Sequence, residues 1–345
     1  MKEMMNAVVI HEHGGIDKLC FEEMPVPNIA ADEVLVEVKA AALNHLDLWV
    51  RGGLPAFKLK MPHILGSDAA GVVTAVGDVV NNVKVGDKVL LAPGWGCGAC
   101  HECLNGDDNL CRDYQILGET TQGTFAEYVK APAVNAFLIP EGLSFDEAAA
   151  IPLVFLTAWH MLVQQVKVQP GEAILILAAG SGVGSAAIQI ARLFGARVIA
   201  TASTDEKLQK AGELGADELI NYADKDFLEE VKRLTNKRGV DIVFEHVGKS
   251  TWENSIKALK KGGRLVTCGA TTGYDPTTDL RYVFSKALKI FGNFMGRKEG
   301  LKRALHFFPE KLKPVIDTSF PLQDAAKAQQ RLMNREQFGK LILKP

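Results

Sequence analysis

The chain has 345 residues, a length that suits two domains of ordinary size. Hydrophobic residues make up 47% and charged residues 23%, which leaves ample apolar surface for a core. The 39 basic and 41 acidic residues nearly cancel, to a net of −2, which excludes a broad basic field for nucleic acid and a polybasic membrane anchor.

In chain order, the first third reads as β-rich. Val34, Val36 and Val38 alternate along Glu33–Lys39, the period-2 signature of a strand. Ala70–Val76 and Asp87–Leu91 are further strands, bounded by Gly77-Asp78 and Gly86-Asp87, and Thr124–Val129 is another. Together these predict a compact barrel or sandwich. After Pro170-Gly171 the pattern changes. Ala173–Leu177 is a continuous apolar run, as expected for a strand buried on both faces of a parallel sheet. A helix follows on the spacing of Val183, Ala187, Ile190 and Phe194. Strands are then expected at Arg197–Ala202, Glu218–Asn221, Asp241–Val247 and Arg264–Cys268. Helices are expected at Asp205–Leu214, Lys225–Leu234 and Thr251–Leu259. Such β-α-β alternation predicts a doubly wound parallel sheet. From Leu301 a helix and a final strand at Gly339–Leu343 close the series. Ala148–Leu156 and Ala173–Ala179 are the longest apolar runs, well short of the roughly 18–20 residues of a membrane helix. Met1–His11 lacks an export pattern, so the expected location is the cytoplasm and no membrane partner is expected.

Between the first strand of the alternating region and its helix lies Ala178-Ala179-Gly180-Ser181-Gly182-Val183-Gly184. Glycines let such a turn approach a pyrophosphate, and the helix start offers N–H groups to it. Gly180, Ser181, Gly182 and Val183 are therefore candidate dinucleotide contacts. An NAD-binding strand would end in a carboxylate for the ribose 2′-hydroxyl. Here the strand ends at Ala202, followed by Ser203 and Thr204, with Lys207 one helical turn on. That set suits a 2′-phosphate and predicts NADPH, although Ser203-Thr204-Asp205 also reads as a helix cap.

Cys97, Cys100, Cys103 and Cys111 place four thiols in one glycine-rich loop. Four thiolates fill a tetrahedral zinc shell and leave no open position for chemistry. An iron–sulfur cluster is the rival tenant. One structural zinc is the reading taken.

Together these features resemble the medium-chain dehydrogenase/reductase superfamily of zinc alcohol dehydrogenases and quinone oxidoreductases. Gly66-Ser67-Asp68-Ala69-Ala70-Gly71-Val72-Val73 is similar to its G-H-E-x-x-G-x-V stretch, and Val85-Gly86-Asp87-Lys88-Val89 to the turn and strand that follow. The resemblance implies a GroES-like catalytic domain over 1–150, a Rossmann domain over 151–298, and a return to the catalytic domain over 299–345. It implies homodimers or homotetramers acting on a small-molecule substrate. The departures are informative. The family's catalytic-zinc positions fall at Asn44, Ser67 and near Leu153, with Asp68 for the Glu of the motif, and asparagine, serine and leucine do not supply the donors zinc favours. The family's zinc-free branch moves hydride from NADPH to quinones or α,β-unsaturated carbonyls. There Asn44 would donate to a substrate carbonyl, with Asp47, Ser67 and Asp68 around it. By the same resemblance His45 and Lys340 would contact cofactor phosphates, and Tyr222 would flank the 2′-phosphate. Thr157, Asn293, Phe294 and Met295 would lie along the nicotinamide, and Val247, Gly269 and Ala270 would end strands at the ligand-binding side. Two other readings stand beside this one. The first is an alcohol dehydrogenase holding a metal through His45, Asp47, Asp68 or His63, and the second is a non-catalytic NADPH-binding protein. Pocket shape is expected to depend on Leu54–Met61 and Gly273–Tyr282.

Overall fold

A computed structural model describes residues 2–53 and 59–345, so residues 54–58 of the first pocket loop lie outside the described residues. The chain divides into two compact units, Met1–Leu153 with Arg297–Pro345, and Val154–Gly296. The cuts fall after residues 153 and 296.

In the first unit the alternation along the Glu33–Ala42 strand holds, with Val34, Val36 and Val38 buried. This strand pairs antiparallel with Asp68–Val76 and with Tyr128–Pro132. Its end, at Ala41 and Ala42, pairs with the Lys340–Lys344 strand. The sheet order runs Ala136–Leu138, Lys88–Leu91, Asp68–Val76, Glu33–Ala42, Lys340–Lys344, Ile316–Pro321. The strand expected at Thr124–Val129 begins instead at Tyr128, because Phe125 and Ala126 are spent on single contacts to Val8 and Ala7 of another sheet. That second sheet, Cys20–Pro25, Met4–Ile10 and His63–Ile64, was not anticipated. Cys20–Pro25 hides because it only half-buries one face, leaves Phe21 exposed and carries Glu22 and Glu23.

The second unit is a six-stranded, wholly parallel sheet. Its order is Glu218–Asn221, Arg197–Ala202, Ala173–Ile176, Val240–Glu245, Leu259–Thr267, Lys289–Gly292. In chain numbering that is 3-2-1-4-5-6, the dinucleotide-fold order, which brings ligands to the carboxyl ends of the central strands. Ile174, Leu175, Ile176, Ile242, Val243 and Phe244 are each fully buried, as strands covered on both faces require. Two strand bounds differ from expectation by more than one residue. The strand expected at Arg264 begins at Leu259, pairing with Val240 across a register shift, and the strand expected to reach Val247 stops at Glu245, whose carboxylate turns the chain. The apolar run at Ile151–Leu156 is the start of a helix, Pro152–Trp159, continued by a π-helical segment, His160–Gln165.

Candidate functional site

In the first unit, the polypeptide leaves the Glu33–Ala42 strand and starts the His45–Gly52 helix at Asn44. Asp47 closes a capping box there, its Oδ2 accepting from Asn44 N at 2.7 Å. Asp68 opens the next strand, fully buried, opposite Ala42. Lys340 opens the Lys340–Lys344 strand and points inward. Its Nζ donates to Leu43 O at 2.7 Å, Asn44 Oδ1 at 2.6 Å and Asp68 Oδ2 at 2.9 Å. Asn44 Nδ2 donates to the same Asp68 oxygen at 2.9 Å and to Ala42 O at 3.4 Å, and Leu153 N donates to Asp68 Oδ1 at 2.9 Å. A lysine, an aspartate and an asparagine thus bind the family's metal-ligand positions Asn44 and Leu153 into one closed network.

This placement bears on two of the expected contacts. Lys340 places its three ammonium protons on acceptors inside the protein, at 3% side-chain exposure. Asn44 directs its amide protons at Asp68 and Ala42. Ser67 is likewise buried, its hydroxyl donating to Leu117 O at 2.8 Å. Asp47 keeps one oxygen, Oδ1, buried without a partner. Burial pushes its carboxyl up to about 7, against the lowering effect of the Asn44 N–H and the Lys340 charge. His45 stacks edge-on to Trp49, and burial, aided by the Arg335 charge, holds its imidazole below the ordinary range. His63 Nε2 faces Gly118 O at 3.1 Å.

The four cysteines converge. All four Sγ atoms lie within 4.8 Å of one another, and among the described residues no other group of three or more His, Cys, Asp or Glu gathers its donor atoms in this way. Cys97 N donates to Cys111 Sγ and Cys100 N to Cys97 Sγ, each at 3.3 Å, bonds that favour thiolates. Gly96 has no room for a side chain, since a Cβ there would come within 2.5 Å of Cys103 Sγ. The donor set fits a structural zinc, held by Cys97, Cys100, Cys103 and Cys111. Within the same unit the lobe is tied down by an Arg297–Asp107 ion pair and by Lys298, which donates from N to Asp108 Oδ1 (3.2 Å) and from Nζ to Asn135 Oδ1 (2.7 Å).

In the second unit the glycine-rich turn joins the Ala173–Ile176 strand to the Gly182–Leu193 helix. Ala178 sits at φ +46°, a left-handed conformation in a non-glycine residue. Ser181 caps the helix, accepting from Gly184 N at 2.9 Å. A Cβ on Gly184 would strike Ala178 O at 2.6 Å, so only glycine fits. The turn and the helix start form the cradle that a dinucleotide pyrophosphate needs. Ala202 closes its strand buried and without charge, Ser203 follows half-buried, and Thr204 caps the next helix by accepting from Lys207 N at 3.3 Å. The Asp205 carboxylate is taken up by Asn221 Nδ2 at 2.9 Å, and the neighbouring Tyr222 is exposed. Val247, Gly269 and Ala270 follow the central strands. Val247 O accepts from Thr271 and Thr272, and a Cβ on Gly269 would come within 3.1 Å of His246 O. Thr157 is buried, and near it in sequence His160 Nδ1 meets Asn293 Oδ1 at 2.5 Å while Asn293 Nδ2 donates to Met295 O at 2.8 Å. Phe294 stays half-exposed.

Sequence reasoning missed His160 and His246, whose only signal is a histidine at the end of an apolar run. It also missed the inward turn of Lys340, for which a lone cation between Gly339 and three apolar residues was the available sign.

Comparison with known proteins bears on the whole chain. Residues 30–141 match the alcohol dehydrogenase GroES-like domain, and residues 182–310 match the zinc-binding dehydrogenase family. A crystal structure described as an NAD-dependent alcohol dehydrogenase is 50% identical, with a TM-score of 0.96, over 99% of this chain and 100% of that one. A sorbitol dehydrogenase of Bacillus subtilis is 36% identical over 84% of this chain and 82% of its own. A quinone oxidoreductase of Homo sapiens is 30% identical over 99% and 98%. The parallel-sheet unit and the GroES-like unit, the cysteine lobe and these relatives together place the chain in the medium-chain dehydrogenase/reductase superfamily of oxidoreductases.

Proposed function

We propose that the protein is an NADPH-dependent reductase of quinones or α,β-unsaturated carbonyls that works without a catalytic metal. The observation that carries this reading is the Lys340–Asp68–Asn44 network. An ammonium is bonded to Asn44, at one of the family's metal-ligand positions, and to Asp68 beside them, while Ser67 at the second is bonded to Leu117 O and Leu153 near the third gives its N–H to Asp68. Such a site offers neither thiolate nor imidazole to zinc. NADPH supplies the hydride. The chain's own residues hold and orient: the turn over Gly180, Ser181, Gly182 and Val183 takes the pyrophosphate, and Ser203 with Lys207 takes the 2′-phosphate. Thr157, Asn293 and Met295 would border the nicotinamide, while the network keeps the His45–Gly52 helix and the Leu153 backbone fixed. With its donors spent internally, the network gives little help to an oxygen that gathers full negative charge. Acceptors that spread the charge over a conjugated system suit it better.

A second reading, an alcohol dehydrogenase using NAD, is favoured by the description of the 50% identical relative. A panel of quinones, enones, enals and simple alcohols with both cofactors, run beside a zinc count, separates the two. Consumption of NADPH with a quinone or enone at about one zinc per chain supports the first reading. Robust alcohol oxidation lost with a removable second metal would establish the other. Binding of NADPH with no turnover on any acceptor would point to a non-catalytic role. We further propose a cytoplasmic homodimer or homotetramer. Among the described residues the Lys289–Gly292 edge strand has no strand partner beyond Leu259–Thr267, and it exposes Ile290, which supports assembly through that edge and is tested by light scattering in solution. Among the described residues no helix is long and apolar enough to cross a membrane.

A further inference from the structure

The glycine-rich turn is braced from both neighbouring strands. On one side Thr201, in the Arg197–Ala202 strand, accepts from Ala178 N through Oγ1 at 3.3 Å and from Ala179 N through its carbonyl at 2.8 Å. On the other side stands His246, the residue after the Val240–Glu245 strand, buried and edge-on to Phe244. Its Nε2 lies 2.9 Å from Leu177 O and 3.4 Å from Ser181 Oγ. A carbonyl only accepts, so Nε2 carries the proton. Leu177 is the last residue before the turn, Ser181 is the cap of the helix after it, and between them Ala178 sits at φ +46°, a conformation that neighbours must enforce. The backbone beyond His246 is itself fixed, because Glu245 accepts from Val247 N, Gly248 N and Thr251 Oγ1.

We propose that His246 is a positioning residue for dinucleotide binding: its Nε2–H holds Leu177 O and the Ser181 cap together, and so aims the N–H groups that open the Gly182–Leu193 helix. The inference rests on the cofactor reading above and adds to it a residue that touches no reacting atom. A side chain that acts this way affects binding and turn mobility before it affects chemistry.

The experiment uses the full chain and two readouts. NADPH and NADH are titrated by nucleotide fluorescence, and amide exchange over residues 177–184 is followed without nucleotide. His246→Phe keeps the ring against Phe244 and removes the donor. His246→Asn keeps polarity but is too short to reach Leu177 O, and His246→Gln restores a donor at the reach of Nε2. The expected result is NADPH binding weakened about threefold to tenfold in the Phe and Asn variants, the effect of one lost hydrogen bond. Faster exchange in the turn should accompany it, and both should be largely recovered in His246→Gln. Parent-like affinity and exchange in the Phe and Asn variants overturn the proposal, as does a Gln variant no better than Asn. A parent chain that binds neither nucleotide overturns the cofactor reading and this inference with it. A parent that binds and a Phe variant that binds equally well overturn this inference alone.

Discussion

Lys340→Met removes the cation at the centre of the buried network while keeping its length and its apolar stem. Lys340 and Asp68 have side-chain exposures of 3% and 0%, so solvent offers the abandoned carboxylate almost nothing. Loss of one partner from a buried ion pair costs about 3–5 kcal/mol. Asp68 retains the bonds from Asn44 Nδ2 and Leu153 N, which sets the expectation near the lower end, about 3 kcal/mol. For a unit of about 200 residues each kcal/mol moves the midpoint by about 2–4 °C, so the variant should melt about 6–12 °C below the parent. The assay is thermal unfolding by circular dichroism at constant pH and salt, in a double-mutant cycle with Asp68→Asn. Lys340→Met/Asp68→Asn should regain much of the loss, because the uncompensated charge is gone. Zinc content should stay at about one per chain in every variant. A single variant that melts within about 2 °C of the parent, or a cycle with no coupling, would refute the claim that this pair organises the site.

Asp47 should give a pH signature. Its folded carboxyl titrates near 7, above its unfolded value, so the folded state holds an extra proton between about pH 4 and 7 and loses relative stability as pH rises through that window. Asp47→Asn keeps an acceptor for Asn44 N and should flatten that decline, measured as the parent-minus-variant difference in urea unfolding from pH 4.5 to 8. A difference that does not change with pH would contradict the buried, partly protonated carboxyl. Cys103→Ser should reduce zinc from about one per chain to a small fraction and lower the thermal midpoint, read by atomic emission and calorimetry. Gly184→Ala drives a Cβ to within 2.6 Å of Ala178 O and should weaken NADPH binding at least tenfold by about 1.4 kcal/mol or more, read by titration. Ala202→Asp should turn a preference for NADPH into one for NADH by setting a carboxylate where the 2′-phosphate is proposed to lie, and an NADH preference in the parent would refute the assignment.

The parallel-sheet unit was legible because its signals are local. The run Ala173–Ile176 is continuous and apolar, Arg197–Ala202 and Glu218–Asn221 match their expected bounds, and the glycines of the turn stand where the strand gives way to the helix. The cysteine lobe was legible for the same reason, since all four donors lie within one loop. What could not be read depends on partners far apart in sequence. Lys340 looks like any strand lysine until its strand is laid beside Leu43 and Asp68. Asn44 reads as a free amide until both its protons are assigned. The Cys20–Pro25 strand hides because an edge strand with one wet face carries a weak apolar period, and Met4–Ile10, central and mostly buried, lacks the alternation that marks a half-exposed strand.

The pairing of Ala41 and Ala42 with Leu343 and Ile342 has a consequence for synthesis. Lys340 meets Leu43 across 297 residues of chain. The GroES-like unit therefore emerges from the ribosome first but cannot complete its sheet until almost everything else has been made. The parallel-sheet unit, Val154–Gly296, is contiguous and can fold meanwhile. A polypeptide released before Lys340 would present the end of the Glu33–Ala42 strand as an unpaired edge, with Asp68 buried against no cation. Such a product is exposed to aggregation or proteolysis, because the GroES-like sheet stays open until the Lys340–Lys344 strand docks.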